Sequence, residues 1–156
     1  MQIINQYLSV ASDAINLFEG VVDKYIGDAV VGLFNTPLNA QDDHAIRSVR
    51  AGLSMVYDVL ALHETLPEDQ RLFYGIGIHT GQAVLGVVGS QDRREFAAIG
   101  DAVEMSKLLQ ENAESGEILI SAATYERIKD RISADPLPPR KLKDDLDLTV
   151  MYRLRG

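Results

Sequence analysis

The sequence contains no cysteine, which excludes disulfide bonds, thiolate catalysis and zinc–thiolate sites. Positive charge is also scarce, because 15 lysines and arginines stand against 23 acidic residues and leave a net charge of -8. Nucleic-acid binding requires a basic face, and the chain also lacks the aromatic motifs with which RNA-binding sheets stack bases. We therefore exclude nucleic acid as a partner. A single nucleotide stays open, since it needs only a few local cations and a metal ion.

Long hydrophobic runs are absent too, and none approaches the roughly 18 residues that a membrane-spanning helix needs. The N-terminus lacks the basic flank and continuous apolar segment of a cleavable signal. We therefore expect a cytoplasmic chain without direct membrane insertion. Its 156 residues, of which 46% are hydrophobic and 24% charged, suffice for one domain with its own core. Residues 1–156 are accordingly predicted to form a single domain.

Four segments are predicted to be helical: residues 2–18, 43–64, 101–112 and 122–130. The buried face of the second is predicted from its apolar stripe, which consists of Ile46, Val49, Leu53, Val56 and Leu60. Asp42 or Asp43 is the expected N-cap of this helix, because a short carboxylate there can accept from the first backbone N–H groups.

Strands are predicted between the helices. Residues 21–26 and 29–34 form a hairpin, in which Gly27 suits the first central position of a tight type II′ turn. Two more strands are expected around Thr80-Gly81, with a break at residues 89–90. The segments "EFAAIG", "SGEILIS" and "TVMYRLRG" are each predicted to contain a strand, and "ADPLPPRKLK" a proline-rich connection. This interleaving predicts an α+β sandwich with helices packed on a mixed or antiparallel sheet.

The hairpin "VVDKYIGDAVVGLF" carries two charges that its apolar pattern does not explain, Lys24 on the first strand and Asp28 at the tip. In most proteins an aspartate at this position is a turn former, and a lysine on a strand is solvated or snorkels. From the residues alone, a binding role and these structural roles both stay open.

Two longer segments resemble one known family. "INQYLSVASDAINLFEGVVDKYIGDAVVGLFNTP" is similar to the helix and hairpin of the class III adenylyl/guanylyl cyclase catalytic domain, and "GIGIHTGQAVLGVVGSQDRREFAAIGDAVEMSKLLQENAESGEILIS" to its second half. The resemblance implies a ferredoxin-like α/β sandwich that works as a homodimer or heterodimer. It implies conversion of ATP to 3′,5′-cyclic AMP and pyrophosphate with Mg²⁺ or Mn²⁺, in intracellular signalling. The family's first strand, with an F-x-D-I pattern and the first metal aspartate, is expected to be missing.

The resemblance also implies roles for individual residues. Asp28 falls on the family's second metal-binding aspartate, and Lys24 on the lysine that reads the purine, a residue type associated with adenine. Ala97 falls where that lysine usually has an Asp or Thr partner, and an alanine side chain cannot accept a hydrogen bond.

The family pattern V-N-x-A-x-R is replaced here by "VEMSKLL". Glu104 therefore falls on the ribose-orienting asparagine, and Leu108 on the phosphate-binding arginine. Lys107 is adjacent, but one residue along a helix turns the side chain by about 100°. Two hypotheses follow. The chain is either a cyclase domain with little or no activity alone, including as one half of a heterodimer, or a non-catalytic module for dimerisation or nucleotide-dependent regulation.

Other polar residues are expected to be structural or solvated. His79 stands beside a turn and is expected to be a satisfied structural residue rather than a base. The glycines of "GIGIHTG" and "GVVGS" lack phosphate-loop spacing and are expected to form turns. The remaining residues in this group are His44, His63, Arg93, Arg94, Asp144, Asp145 and Asp147.

Overall fold

A computed structural model of the chain describes residues 2–88, 95–144 and 147–155. The chain divides into two compact units, residues 1–72 and residues 73–156. Each unit is described separately below. None of the helices in the described ranges has the length and apolar character that crossing a bilayer requires.

The first unit consists of two long helices and a hairpin. Helix α1 (Gln2–Leu17) precedes strands β1 (Val21–Ile26) and β2 (Ala29–Leu33), and helix α2 (His44–Glu64) follows. A short 3-10 turn (Glu68–Gln70) comes next. Helix α1 contacts α2 and the hairpin, so its buried residues form the centre of this unit. They are Tyr7, Ala11, Ala14 and Ile15.

The hairpin has the turn that the sequence predicts. Ile26 pairs with Ala29, which leaves a two-residue loop. Gly27 has φ +58°, whereas Asp28 is not among the residues with positive φ. A type I′ turn requires positive φ at both central positions, so the backbone matches type II′. Glycine is needed here because other residues rarely adopt this conformation.

Helix α2 corrects two predictions. Its buried face includes Gly52, Met55 and Val59, while the predicted Leu60 is 57% exposed. The predicted stripe is correct at Ile46 and Val49, which are buried, but its later part lies too far toward solvent because it omitted buried small and polar residues such as Gly52 and His63. The N-cap position is occupied by Asp43, as predicted, but the carboxylate makes no capping hydrogen bond.

The Asp43 carboxylate instead accepts a 2.7 Å hydrogen bond from Nε of Arg47, one turn into the helix. This hydrogen bond lowers the pKa of Asp43 and raises the pKa of Arg47. The backbone of Asp43, with φ -104° and ψ 27°, is not in the extended conformation that is usual for a residue whose side chain caps a helix.

The second unit has a four-stranded mixed sheet. The strands are β3 (Ile76–Ile78), β6 (Ile118–Ser121), β7 (Ala134–Pro136) and β8 (Met151–Leu154), in the order β3-β6-β8-β7. Strands β3 and β6 are parallel, and the other pairs are antiparallel. Every residue of β6 is buried, because neighbouring strands cover both its edges and α3 (Asp101–Asn112) and α4 (Ala122–Ile128) pack on it.

Strand pairing in this unit joins segments that are distant in the sequence. The strands on either side of Thr80-Gly81 are β3 and β4 (Val84–Val88), and β4 pairs with β5 (Glu95–Ile99) instead of β3. Strand β3 finds its partner in β6, some 40 residues later. Local turn signals carry no information on such a distant partner. Within the predicted proline-rich connection, three residues form strand β7.

Candidate functional site

The hairpin of the first unit presents both charged residues that the resemblance singled out. Asp28 lies at the tip and is exposed, as a residue in a two-residue loop must be. Lys24 lies on β1 opposite Val31, and its side chain is 31% exposed. The hairpin thus offers a carboxylate to solvent and an ammonium group on a partly covered surface.

The backbone of β1 is irregular beside Lys24. Val22 pairs with Gly32 and Lys24 with Val31, so Asp23 is an extra residue without a Cα partner in the β1–β2 register. This is a β-bulge, and it alters the regular alternation of side chains along the strand. Oδ2 of Asp23 lies 3.2 Å from Nζ of Lys24, although the two residues are consecutive. The Asp23 side chain is only 4% exposed.

Tyr25 ties the hairpin to helix α1. Its hydroxyl lies 2.7 Å from the hydroxyl of Ser12, and Ser12 donates to the carbonyl of Leu8. This chain of hydrogen bonds holds the part of β1 that follows Lys24 against the helix.

Divalent metal ions accompany catalysis in the family that the chain resembles, and such an ion needs several oxygen ligands held close together. The described residues contain no group of three or more histidines, aspartates or glutamates able to hold a metal ion. Asp28 is a single exposed carboxylate at a turn. Mg²⁺ requires six oxygen ligands in near-octahedral geometry. The described part of this chain therefore does not form a complete metal site, and Asp28 offers only one carboxylate toward it.

The other predicted site residues lie in the second unit. Ala97 is on β5, where its backbone pairs with Gly86 of β4. Helix α3 begins directly after β5, and the N–H groups of Val103 and Glu104 both donate to the carbonyl of Gly100. Strand β5 therefore leads straight into the helix that carries Glu104 and Leu108.

Glu104 and Leu108 have different surroundings on α3. Glu104 is exposed in the first turn, where the helix dipole favours a negative charge. Leu108 is partly buried and packs against the apolar cluster of Leu109, Leu119, Leu142 and Met151. Lys107 is exposed. The position that the resemblance assigns to the family's arginine is thus part of the hydrophobic packing of this unit.

His79 has the structural role that was expected of it. Its Nδ1 lies 2.8 Å from the hydroxyl of Ser121, and Ser121 caps α4 by accepting from the N–H of Thr124. The hydroxyls of Thr80 and Thr124 are 2.8 Å apart. Burial lowers the pKa of His79. These four residues connect the ends of β3 and β6 to the start of α4.

The other candidates do not form a site in the described residues. His63 is buried, with Nε2 2.9 Å from the carbonyl oxygen of Leu72, and Asp144 and Asp147 are exposed. His44, at the start of α2, belongs to no metal-binding group. Arg93, Arg94 and Asp145 lie outside the described residues.

The sequence pattern of the adenylate and guanylate cyclase catalytic domain matches residues 7–152. The chain belongs to this family. This cyclase domain is 29% identical, over 160 residues, to adenylate cyclase 1 of Rhizobium meliloti (strain 1021), a match that covers 98% of the chain and 24% of that protein. The chain thus spans about a quarter of the length of this relative.

Solved structures agree with the family assignment. The adenylyl cyclase CyaB from P. aeruginosa is similar with a TM-score of 0.90 and 28% identity, over 99% of this chain and 81% of that chain. The guanylyl cyclase Cya2 is similar with a TM-score of 0.86 and 29% identity, over 99% of this chain and 79% of that chain. These likenesses confirm the α+β fold of the nucleotidyl cyclase type. The adenylyl and the guanylyl cyclase resemble this chain to nearly the same degree, so overall likeness does not show whether the chain prefers adenine or guanine.

The sequence pattern did not predict one feature of the cyclase domain, the contact between Asp23 and Lys24. Consecutive residues of a regular strand point to opposite faces, so the pattern predicts no contact between them. The bulge that brings them together depends on the register of β2, for which the sequence offers no local signal.

Proposed function

We propose that this cyclase domain supplies the hairpin part of a nucleotide site and has little or no cyclase activity as an isolated chain. In this proposal Lys24 reads the purine of ATP and Asp28 is one ligand of a divalent metal ion. The two units act as a single cyclase homology domain, which is supported by a family match that extends across both.

The observation that carries the proposal is the packing of Leu108 on the apolar cluster of the second unit. In the family reaction, the ribose 3′-oxygen attacks the α-phosphorus while its proton is lost. A new O–P bond forms, and the bond to the pyrophosphate oxygen breaks. Negative charge on the transferring phosphoryl group must be stabilised by nearby donors, and a metal ion, when bound, neutralises the phosphates.

At Glu104 and Leu108, where the resemblance implies the family's asparagine and arginine, this chain has no side-chain hydrogen-bond donor for the transferring phosphoryl group. A leucine side chain has no polar hydrogen, whereas an arginine offers a fork of N–H donors to phosphate. Glu104 adds a negative charge where the family has a neutral amide, and like charges repel. Both replacements act against the transition state, so catalysis would require these groups from another chain.

The proposal is tested by incubating the chain with Mn²⁺ and ATP and measuring cyclic AMP, beside an Asp28→Ala control. We expect no cyclic AMP above the control. A clear difference between the two proteins would contradict the proposed inactivity. Titration calorimetry with a non-hydrolysable ATP analogue then measures binding, which we expect in the wild type and expect to weaken in Lys24→Met.

A second candidate function is a non-catalytic module that dimerises. It is favoured by apolar side chains on the β4–β5 hairpin, where Val84 and Ile99 are cross-strand partners. The two residues are 65% and 49% exposed, and Leu85, which follows Val84 on β4, is 37% exposed. Contiguous exposed apolar residues often mark a protein–protein contact, and cyclase domains of this family work as dimers.

Analytical ultracentrifugation of the wild type and of Val84→Lys tests this function. We expect the wild type to sediment as a dimer and the variant to shift toward monomer. Leu60→Lys is the matched control, because Leu60 is 57% exposed on α2 and should not affect association through β4–β5. A monomeric wild type, or equal effects of both variants, would contradict dimerisation through this hairpin.

A further inference from the structure

The β-bulge in β1 brings a buried acid next to the lysine of the proposed purine site. In a regular strand, the side chains of Asp23 and Lys24 would point to opposite faces. The register shift between Val22 and Lys24 removes this constraint, and Nζ of Lys24 lies 3.2 Å from Oδ2 of Asp23. The irregularity thus creates an ion pair within the hairpin.

This ion pair differs from the exposed pair of Glu126 and Lys129 at the end of α4. The side chains of Lys129 and Glu126 are 43% and 63% exposed, whereas those of Lys24 and Asp23 are 31% and 4% exposed. Exposed pairs are weakened by solvent and by the mobility of both side chains. A buried carboxylate has a fixed position, so its contact with Nζ restricts the rotamers of Lys24.

We propose that Asp23 is the positioning residue of Lys24 and thereby a specificity-determining residue for the purine, in the place of the acceptor that is absent at Ala97. The inference rests on the proposed role of Lys24 in nucleotide binding. With its side chain 4% exposed, Asp23 acts through Lys24 and not by contact with the base. The 3.2 Å contact with Oδ2 of Asp23 is an ion pair, and an ammonium group has several N–H donors, so Lys24 can keep this contact and also donate to a base.

The position of the ammonium group decides which base it favours. N1 of adenine is an acceptor and N1 of guanine carries a hydrogen, so an ammonium held at that edge favours adenine. Without Asp23, the ammonium group loses this constraint on its position. It would then interact with the phosphates, which ATP and GTP share, and discrimination between the two would decrease.

The positioning itself is tested without a nucleotide, by ¹H–¹⁵N correlation spectra of the lysine ammonium groups. We expect hydrogen exchange at Lys24 to be slower than at exposed Lys107 in the wild type, and to become faster in Asp23→Asn. Glu126→Gln is the matched control, since it removes the acid of the exposed pair with Lys129 and should leave the Lys24 signal unchanged. Exchange at Lys24 as fast as at exposed Lys107 in the wild type would overturn the inference, even if Asp23→Asn does not fold.

The effect on specificity is tested by titrating the same proteins with ATP and with GTP in the presence of Mg²⁺. We expect the preference for ATP to fall severalfold in Asp23→Asn and not in Glu126→Gln. The double variant Asp23→Asn/Lys24→Met should behave like Lys24→Met alone, because Asp23 acts through Lys24. An unchanged preference in Asp23→Asn overturns the inference. A different result is slow exchange at Lys24 in a wild type that binds neither ATP nor GTP. This result contradicts the proposed function, and it also removes any role of Asp23 in specificity.

Discussion

Nδ1 of His79 lies 2.8 Å from the hydroxyl of Ser121, which also caps helix α4. Burial lowers the pKa of this imidazole below its ordinary 6.5, so the folded state favours the neutral ring. The unfolded chain binds the proton more readily than the folded chain does. The contribution of His79 to stability is therefore complete above pH 6.5 and decreases as the pH falls below that value.

We expect the free energy of unfolding to fall between pH 7.5 and pH 5.5 more steeply in the wild type than in His79→Asn. Urea denaturation at several pH values measures it, and the difference between the two proteins removes the shared contribution of the carboxylates. Parallel pH profiles would show that His79 does not contribute. The pH dependence of the free energy of unfolding that remains in His79→Asn comes from the other titrating groups.

Leu108 is expected to resist replacement by the family's arginine. Leu108→Arg places a guanidinium against the cluster that contains Leu109 and Met151, and burial of an unpaired charge is costly. We expect a loss of about 1–3 kcal/mol in the free energy of unfolding. The control Leu108→Met keeps the volume and should cost less than about 1.5 kcal/mol. Equal stability of both variants would mean that Leu108 does not pack as described.

Gln41 is predicted to stabilise the first unit through its amide. Nε2 donates to the carbonyl of Glu19 at 2.9 Å, and Oε1 accepts from the N–H of Asn35 at 3.0 Å. Gln41→Ala leaves both backbone groups without this partner, and we expect a loss of about 1–3 kcal/mol in thermal or urea unfolding.

Asn39→Ala is the matched control for Gln41. Asn39 makes one long, exposed hydrogen bond of 3.4 Å to Glu19, so its removal should change stability by no more than about 0.5 kcal/mol. A Gln41→Ala protein as stable as Asn39→Ala would argue against the importance of the buried amide.

Replacement by alanine is predicted to destabilise the chain more at Gly77 of β3 than at Gly86 of β4. A Cβ atom on Gly77 would overlap backbone atoms of Ser106 and Gln110 on α3, which cannot move aside as a side chain can. We expect Gly77→Ala to cost about 3 kcal/mol or more. In β4, a Cβ on Gly86 would lie 3.7 Å from Cδ1 of Ile99, an ordinary contact. Gly86→Ala should therefore melt close to the wild type, and a similar melting temperature for both variants would contradict the close approach of α3 to β3.

Elements with strong local signals were predicted correctly. The type II′ turn follows from glycine at its first central position, and helix α3 spans residues 101–112 as predicted. The proposed site residues Lys24 and Asp28 were found through the family resemblance, because single charges on a hairpin have ordinary structural explanations.

Features that depend on distant partners were not predicted. Strand β3 pairs with the distant strand β6 and not with β4, its neighbour in sequence. The carboxylate of Asp43 accepts from Arg47 and makes no capping hydrogen bond. These outcomes depend on competition among several partners, which no local pattern records.

The sequence by itself determined the family and the order of helices and strands, and it places Glu104 and Leu108 where the resemblance implies the family's asparagine and arginine. Those properties follow from residue identity and local periodicity. Only the tertiary structure decided that Leu108 is part of an apolar cluster and that Asp23 contacts Lys24. Both depend on register and packing between segments, and a bulge in one strand exists only in relation to its neighbour.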